Sequence, residues 1–234
     1  MNGMLERLDA SSATLSRFVS DSSHEIRSPI TNIRARIETS SADDWDATRS
    51  DIVGEVERIE ALIGDLTSLA RSDEGRVGQH IERVDLDEVL FAEAARLQQR
   101  GRVSVDASGV EPFAIIGDRG QLRRVVRNLV DNAERHATSA VALTLRAQVS
   151  GGDDVIIVVD DDGRGIAAED RARVFERFAR LDESRDRGAG GTGLGLAIVA
   201  DIVARHAGSI DIDTSTLGGA SFRVLLPSAP PPSG

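Results

Sequence analysis

His24 stands in F-V-S-D-S-S-H-E-I-R-S-P-I-T, residues 18–31, with an acid beside it at Glu25, a hydroxyl at Ser28 and a proline at Pro29. An imidazole is a nucleophile and proton carrier near neutral pH, and an adjacent carboxylate can orient it or take its proton. A lone exposed histidine is ordinarily a solvated surface residue; here an acid, a hydroxyl and a proline surround it. Further along, Arg124, Asn128, Asn132 and Arg135 recur at helical spacing and share one face. Amide oxygens suit Mg2+ and guanidinium groups suit phosphate, whereas a merely solvated face more usually carries Glu and Arg. Asp161 opens D-x-G-x-G with Gly163 and Gly165. A carboxylate accepts but cannot donate, so it fits the exocyclic amine of adenine and repels the guanine oxygen. The competing turn, a Ca2+ loop, lacks its remaining ligands. Last comes G-A-G-G-T-G-L-G-L, residues 188–196, in which Gly191, Thr192, Gly193, Leu194 and Gly195 lead into an apolar stretch. Backbone N–H groups at such a helix entry can bind phosphate, although many glycine-rich entries are only loops.

These groups need elements to hold them. Leu15, Val19, Ile26, Ile30, Ile33 and Ile37, with Ser22 in one slot, repeat at three and four residues, which predicts a long helix with one buried seam. His24 lies two residues from both Ser22 and Ile26, about 200° round the helix from each, and so faces water. Two successive spacings of four, and Pro29 with no N–H for the Glu25 carbonyl, predict a bend just after the histidine. After the S-S-A-D-D-W-D loop, Ile52, Val56, Ile59, Ile63, Leu66 and Ala70 form a second stripe. Two such helices make an antiparallel hairpin, but narrow seams over some 70 residues bury too little to fold well alone. A symmetric dimer, joined around Ile52, Ile59 and Leu66 into a four-helix bundle, is the economical solution.

Beyond the polar, glycine-bearing run 71–80 the pattern becomes mixed. Strands are expected at 81–84, 103–106, 113–116, 140–148, 155–160, 209–214 and 220–226, with helices at 86–99, 118–137 and 194–207. The helix over 118–137 carries Leu122, Val126, Leu129 and Ala133 on its apolar stripe.

Composition narrows the function classes. The formal charge of −11 argues against a nucleic-acid partner. All 28 basic residues are arginine, so a Walker A loop or a eukaryotic-type kinase site would lack its lysine. The sequence contains no cysteine, which excludes disulfides and thiolate metal sites and suits a reducing cytoplasm. No apolar run reaches the ~18 residues of a membrane span.

S-H-E-I-R-S-P resembles the H-box of bacterial two-component sensor histidine kinases. N-L-V-D-N-A-E-R-H-A, residues 128–137, resembles the N-box of the GHKL ATPase superfamily; D-D-G-R-G-I, 161–166, its G1 box; F-E-R-F, 175–178, and the glycine run its F-box and G2 box; Gly218-Gly219-Ala220 its later glycine turn. Their order along the chain makes the resemblance specific. It implies an α+β protein of two domains: a dimerising helical hairpin over 10–72, then an α/β sandwich with a mixed sheet of the Bergerat (GHKL) type over 80–228. Residues 1–9 resemble the end of a HAMP linker or are an ordinary helix start, and 229–234 read as a disordered tail.

The resemblance further implies transfer of the γ-phosphoryl group of ATP to His24 and then to an aspartate of a response regulator. Asn132 would bind Mg2+, with Asn128, Arg135 and His136 flanking phosphates and nucleoside, and residues 178–188 would form a lid. Ser28 stands where threonine is commoner in the resembled pattern and would help position the water that dephosphorylates the regulator. Serine keeps the hydroxyl but lacks the methyl that restricts its rotamers. The chain would be the cytoplasmic part of an inner (plasma) membrane sensor whose N-terminal region is absent. A clamp-closing ATPase of the gyrase, MutL or Hsp90 type, and a nucleotide-binding dimeric adaptor, share parts of the pattern. The H-box hairpin speaks against the first, and the full set of candidate catalytic residues against the second.

Overall fold

The structure, a computed structural model, describes residues 26–40, 44–73, 80–148, 154–179 and 193–228. His24, Glu25, Gly191 and Thr192, the linker-like residues 1–9, the tail and nearly all of the expected lid lie outside those residues. The chain divides into two compact units, residues 1–74 and 75–234.

In the first unit a helix over 26–39 (α1) precedes α2, Trp45–Asp73. Asn32 Nδ2 donates to Glu55 Oε1 at 3.1 Å, and Arg36 pairs with Asp51. A step of four forward on α1 is thus matched by four backward on α2, which is an antiparallel hairpin. Its inner face differs from the expected seam. Leu62 is fully buried and Pro29 and Thr48 are buried, while Ile26, Ile33, Ile52 and Ile59 are half-buried. Ile30, Ile37, Val56 and Ile63, expected in the same seam, remain 42–52% exposed. The apolar stripe therefore splits. On α2 the covered seam runs Thr48, Ile52, Glu55, Ile59, Leu62, and a count of apolar residues alone missed it because it admits Thr48 and Glu55.

The second unit begins with β1 (Ile81–Asp85), α3 (Leu86–Arg100), β2 (Ser104–Val110), β3 (Ala114–Asp118) and α4 (Arg119–His136). It continues with β4 (Ala140–Ala147), β5 (Asp154–Asp161), α5 (Gly195–Arg205), β6 (Ser209–Thr214) and β7 (Ala220–Pro227). β1 and β3 form a small antiparallel pair; the main sheet runs β2-β4-β5-β7-β6. Only β2 and β4 are parallel, so the sheet is mixed, as expected. The expected elements occur with ends shifted by a residue or two, except β2, which continues to Val110 through an irregularity between Asp106 and Gly109. A 3-10 turn at Arg173–Phe175 had no signal in the sequence pattern.

Leu143, Val159, Phe222 and Ile212 lie side by side across four strands, as do Leu145, Ile157 and Val224 across three, and all are buried. They meet the apolar faces of α3, α4 and α5, including Leu90, Leu97, Leu129 and Ile198. The other sheet face carries Thr144, Arg146, Asp160 and Arg223, the pattern of a sheet covered on one side.

Asp118 ends β3 and caps α4, its Oδ1 accepting from the Gln121 N–H at 3.0 Å. Its own N–H donates to His206 Nε2 at 3.1 Å, while His206 Nδ1 lies 2.8 Å from the Ile202 carbonyl. Accepting at Nε2 fixes the proton on Nδ1, so a neutral imidazole of one tautomer ties the end of α5 to the start of α4. His206→Phe keeps a ring but strands the Asp118 N–H; we expect a loss of about 1–3 kcal/mol. In urea unfolding the midpoint falls at unchanged slope, and an unchanged midpoint would remove His206 from the supports of the fold.

Candidate functional site

The site is built on a carboxylate at a core position. Along β5, Val155, Ile157 and Val159 point inward, and Asp161 takes the next inward place with 1% of its surface exposed. One oxygen, Oδ1, accepts from the N–H groups of Gly163 at 2.9 Å and Ala220 at 3.1 Å. The other, Oδ2, is buried with no donor from the protein. A buried acceptor left unmatched is unfavourable by about 1–3 kcal/mol, so Oδ2 fits a ligand that brings an N–H of its own. That is the donor expected of an adenine amine.

Two glycines make room around it. A Cβ on Gly163 would run into the carbonyl of His136, and one on Gly219 into Asp161 itself. Gly219 N–H also donates to the Asp161 carbonyl at 3.1 Å, so the late glycine turn closes onto the same residue. Gly165 lies against Gly219 with φ of 72°.

Helix α4 joins this corner to a second one. Asn128 Nδ2 donates to the Gly195 carbonyl at 3.2 Å, bringing the first turn of α5 against α4. Leu194 before it is buried. Phe178 N–H donates to the Gly193 carbonyl at 2.9 Å, and both residues have positive φ, 63° and 69°. Asn132, half-buried, sits one turn from Asn128 and one turn from His136. Arg135 and His136 are exposed at the end of the helix. From Asn128 to His136 is about 12 Å along the axis. Among the described residues the structure thus brings together Asp161, Gly163, Gly165 and His136 at the C-terminal end of α4, and Asn128, Gly193, Leu194 and Gly195 at its middle. Ser28 lies exposed on α1 in the first unit.

A further carboxylate carries weight that sequence reasoning missed. Asp162 Oδ1 accepts from the N–H groups of Thr138 at 2.8 Å, Ser139 at 2.9 Å and Ala140 at 3.0 Å; Oδ2 accepts from Ser139 Oγ at 2.6 Å. The Ser139 hydroxyl, with these backbone N–H groups, holds its carboxyl well below the usual carboxylate range. Asp162 therefore fixes the turn between α4 and β4 behind the Asp161 corner. Its sequence neighbours offer no signal, because the partners lie in another segment.

No cluster of three or more His, Cys, Asp or Glu side chains able to hold a metal occurs among the described residues. A cation held by Asn132 would draw its other ligands from phosphate and water, the usual arrangement for Mg2+.

Comparison with known proteins agrees with this geometry. The family described as "Histidine kinase-, DNA gyrase B-, and HSP90-like ATPase" matches residues 117–230, and "His Kinase A (phospho-acceptor) domain" matches 14–75. The sensor-like histidine kinase SenX3 of Mycolicibacterium smegmatis is 34% identical over 94% of this chain and 59% of its own length. The solved structure of the mycobacterial sensor histidine kinase MprB superposes with a TM-score of 0.56 at 32% identity, over 64% of this chain and 99% of that one. That of ShkA in complex with AMPPNP gives 0.60 at 26% identity, over 92% of this chain and 46% of ShkA. The chain spans about half the length of the full-length relatives it matches. The ATPase match implies that the second unit binds ATP.

The Asp162 clamp has a pH signature. A carboxyl whose folded value is depressed stabilises the fold above its unfolded value and loses that contribution as pH falls through the folded one. The stability gap between the protein and its Asp162→Asn variant should stay constant from pH 7 to about 5 and narrow below about 4. Thermal unfolding across that range checks it, and a gap independent of pH would contradict the clamp.

Proposed function

The chain belongs to the sensor histidine kinases of two-component systems, and from that premise we propose that it moves the γ-phosphoryl group of ATP to His24, then to an aspartate of a response-regulator receiver domain. The observation that carries the nucleotide half is the buried, unmatched Oδ2 of Asp161, which accepts from adenine. Asn132 supplies an amide oxygen to Mg2+, and Asn128, Arg135 and His136 flank the phosphates and nucleoside. Gly191, Thr192 and Gly193 offer backbone N–H groups to the phosphates. When bound, Mg2+ offsets charge on the transferring phosphates.

In the first step a ring nitrogen of neutral His24 attacks the γ-phosphorus in line. A nitrogen–phosphorus bond forms as the bond to the β,γ-bridging oxygen breaks, and ADP leaves. Glu25 orients the ring and receives its proton. The second step moves the phosphoryl group from nitrogen to the receiver carboxylate. Ser28, one turn beyond His24, serves the reverse task, positioning water for dephosphorylation of the regulator less effectively than threonine would.

The protein acts as a homodimer. The exposed set Ile30, Ile37, Val56 and Ile63 supports this, since a stripe of branched apolar residues at heptad spacing on a two-helix hairpin is what a four-helix bundle covers. The contact thus falls on Val56 and Ile63 rather than centring on Ile52 and Ile59, which the hairpin already half buries. No helix among the described residues is long and apolar enough to cross a membrane. From its likeness to sensor kinases we place the chain on the cytoplasmic side of an inner-membrane sensor.

His24→Gln should abolish the acid-labile, base-stable label from γ-labelled ATP while nucleotide binding persists; full labelling of that variant would overturn the assignment. Asp161→Asn should weaken ATP binding by about tenfold or more through loss of a charged acceptor.

Ile63→Asp leaves the inner seam intact and buries an unpaired charge between two copies, weakening the dimer by at least about a hundredfold. Light scattering reads this directly, and a monomeric wild-type protein would refute the bundle.

A further inference from the structure

Helix α4 is held to α3 by charge as well as by apolar contact. Glu93, 1% exposed, is gripped at both oxygens: Arg96 Nε lies 2.5 Å from Oε2 and Arg123 Nε 3.2 Å from Oε1. Arg96 reaches on through Nη2 to Asp131 Oδ1 at 2.6 Å. Asp131 also faces Arg100 at 3.5 Å and Arg127 at 3.8 Å, and Arg100 closes on the buried Glu134 at 2.7 Å. Arg123, Glu93, Arg96, Asp131, Arg100 and Glu134 thus form a ladder of alternating sign along roughly three turns of α4. Asn128 and Asn132 lie within that length.

Such a ladder is a poor device for stability alone, because buried pairs roughly break even against well-packed apolar residues. This one also leaves Arg96 Nη1 and Glu134 Oε1 buried without a partner. Burial opposes the charge on Arg96, yet its hydrogen bonds to Asp131 and Glu93 raise its pKa above the ordinary arginine value. What the ladder does supply is register. The apolar face of α4, made of Leu122, Val125, Val126, Leu129 and Val130, tolerates small axial shifts, since dispersion and burial have little direction. A shift that parts Glu93 from Arg123 or Arg96 from Asp131 leaves charge unpaired. Polar contacts buried between helices have this role elsewhere, as when one buried polar residue fixes coiled-coil alignment.

We propose that the α3–α4 ladder sets the axial position of α4 and thereby places the Asn132 amide for the cation, making Glu93 and Asp131 positioning residues for Mg2+-dependent nucleotide binding. The proposal rests on the reading of Asn132 as the Mg2+ ligand. Glu93 itself touches neither nucleotide nor cation site; it acts through α4. Asp161 belongs to β5, so the adenine contact is expected to be insensitive to the ladder.

The test titrates a fluorescent ATP analogue into the full chain with and without Mg2+, alongside thermal unfolding. Glu93→Gln should raise the half-saturating Mg2+ concentration by about tenfold, the lower range for supporting residues of a metal ligand. Its Mg2+-free affinity should fall by less, because Asp161 on β5 stays in place while Asn128, Arg135 and His136 move with α4, and Glu93→Asp should restore part of the loss. Arg123→Gln, at a more exposed rung, gives the same reading if Glu93→Gln does not fold. A folded Glu93→Gln protein with wild-type Mg2+ dependence would overturn the proposal. So would equal losses with and without Mg2+, since these signal general loosening. Asn132→Ala is the benchmark: if it leaves Mg2+ dependence unchanged, the ligand reading itself fails, and the ladder's role falls with it.

Discussion

Everything in the second unit answers to one awkward group, a carboxylate placed where the sheet's inner face should be apolar. Strand alternation carries Val155, Ile157, Val159 and Asp161 to the same side, so the residue that ends the hydrophobic column ends it with charge. The surroundings adapt to that. Gly163 and Ala220 give N–H groups to one oxygen, and Gly219 has no side chain because Asp161 fills its place. The last turn of α4 comes close enough that Gly163 touches the His136 carbonyl. Satisfying one oxygen from the backbone while leaving its twin without a protein donor makes a small, directional, accept-only receptor at the floor of the site.

A protein of net charge −11 that binds a triphosphate must solve an electrostatic problem locally. Long-range attraction is unavailable, and at ordinary ionic strength it would be screened beyond about 8 Å in any case. Short-range groups can do the work: backbone N–H groups at the entry of α5, the guanidinium at Arg135 and amide side chains on α4. Helix α4 relates these groups to the Asp161 carboxylate, because it meets the Asp161 corner at His136 and the α5 corner at Asn128. The position of that one helix therefore sets where its own polar groups stand relative to the Asp161 carboxylate, which stays with β5, so its attachment to α3 bears on the proposed cation site.

The motifs of the second unit were legible because their physics is local. Asp161 could be singled out from three consecutive aspartates by its spacing to Gly163 and Gly165, and the shared face of Asn128 and Asn132 followed from helical spacing, while their roles toward cation and phosphate came from the resemblance. Asp162 and the α3–α4 ladder were not legible. Each depends on partners 22 to 35 residues away whose approach is set by the fold, and each looks in sequence like an ordinary solvated charge. The hairpin failed differently: its period was right, but one set of apolar positions serves two faces. Polar Thr48 and Glu55 complete the covered seam, so hydrophobicity cannot say which face is which.

That division of the hairpin has a consequence for catalysis. Ser28 is two residues from both Ile26, on the covered side of α1, and Ile30, on the exposed apolar side, hence about 200° from each. His24 lies outside the described residues, and the sequence spacing alone assigns it to the Ser28 face. Covering the second apolar stripe with another copy would complete the bundle and still leave that face open to a catalytic domain or a receiver. The reverse arrangement, with the histidine between the stripes, would bury the nucleophile on assembly. Two apolar faces on one side of α1 and Ser28 on the other would let the proposed assembly and phosphoryl transfer use the same short helix without competing for its surface.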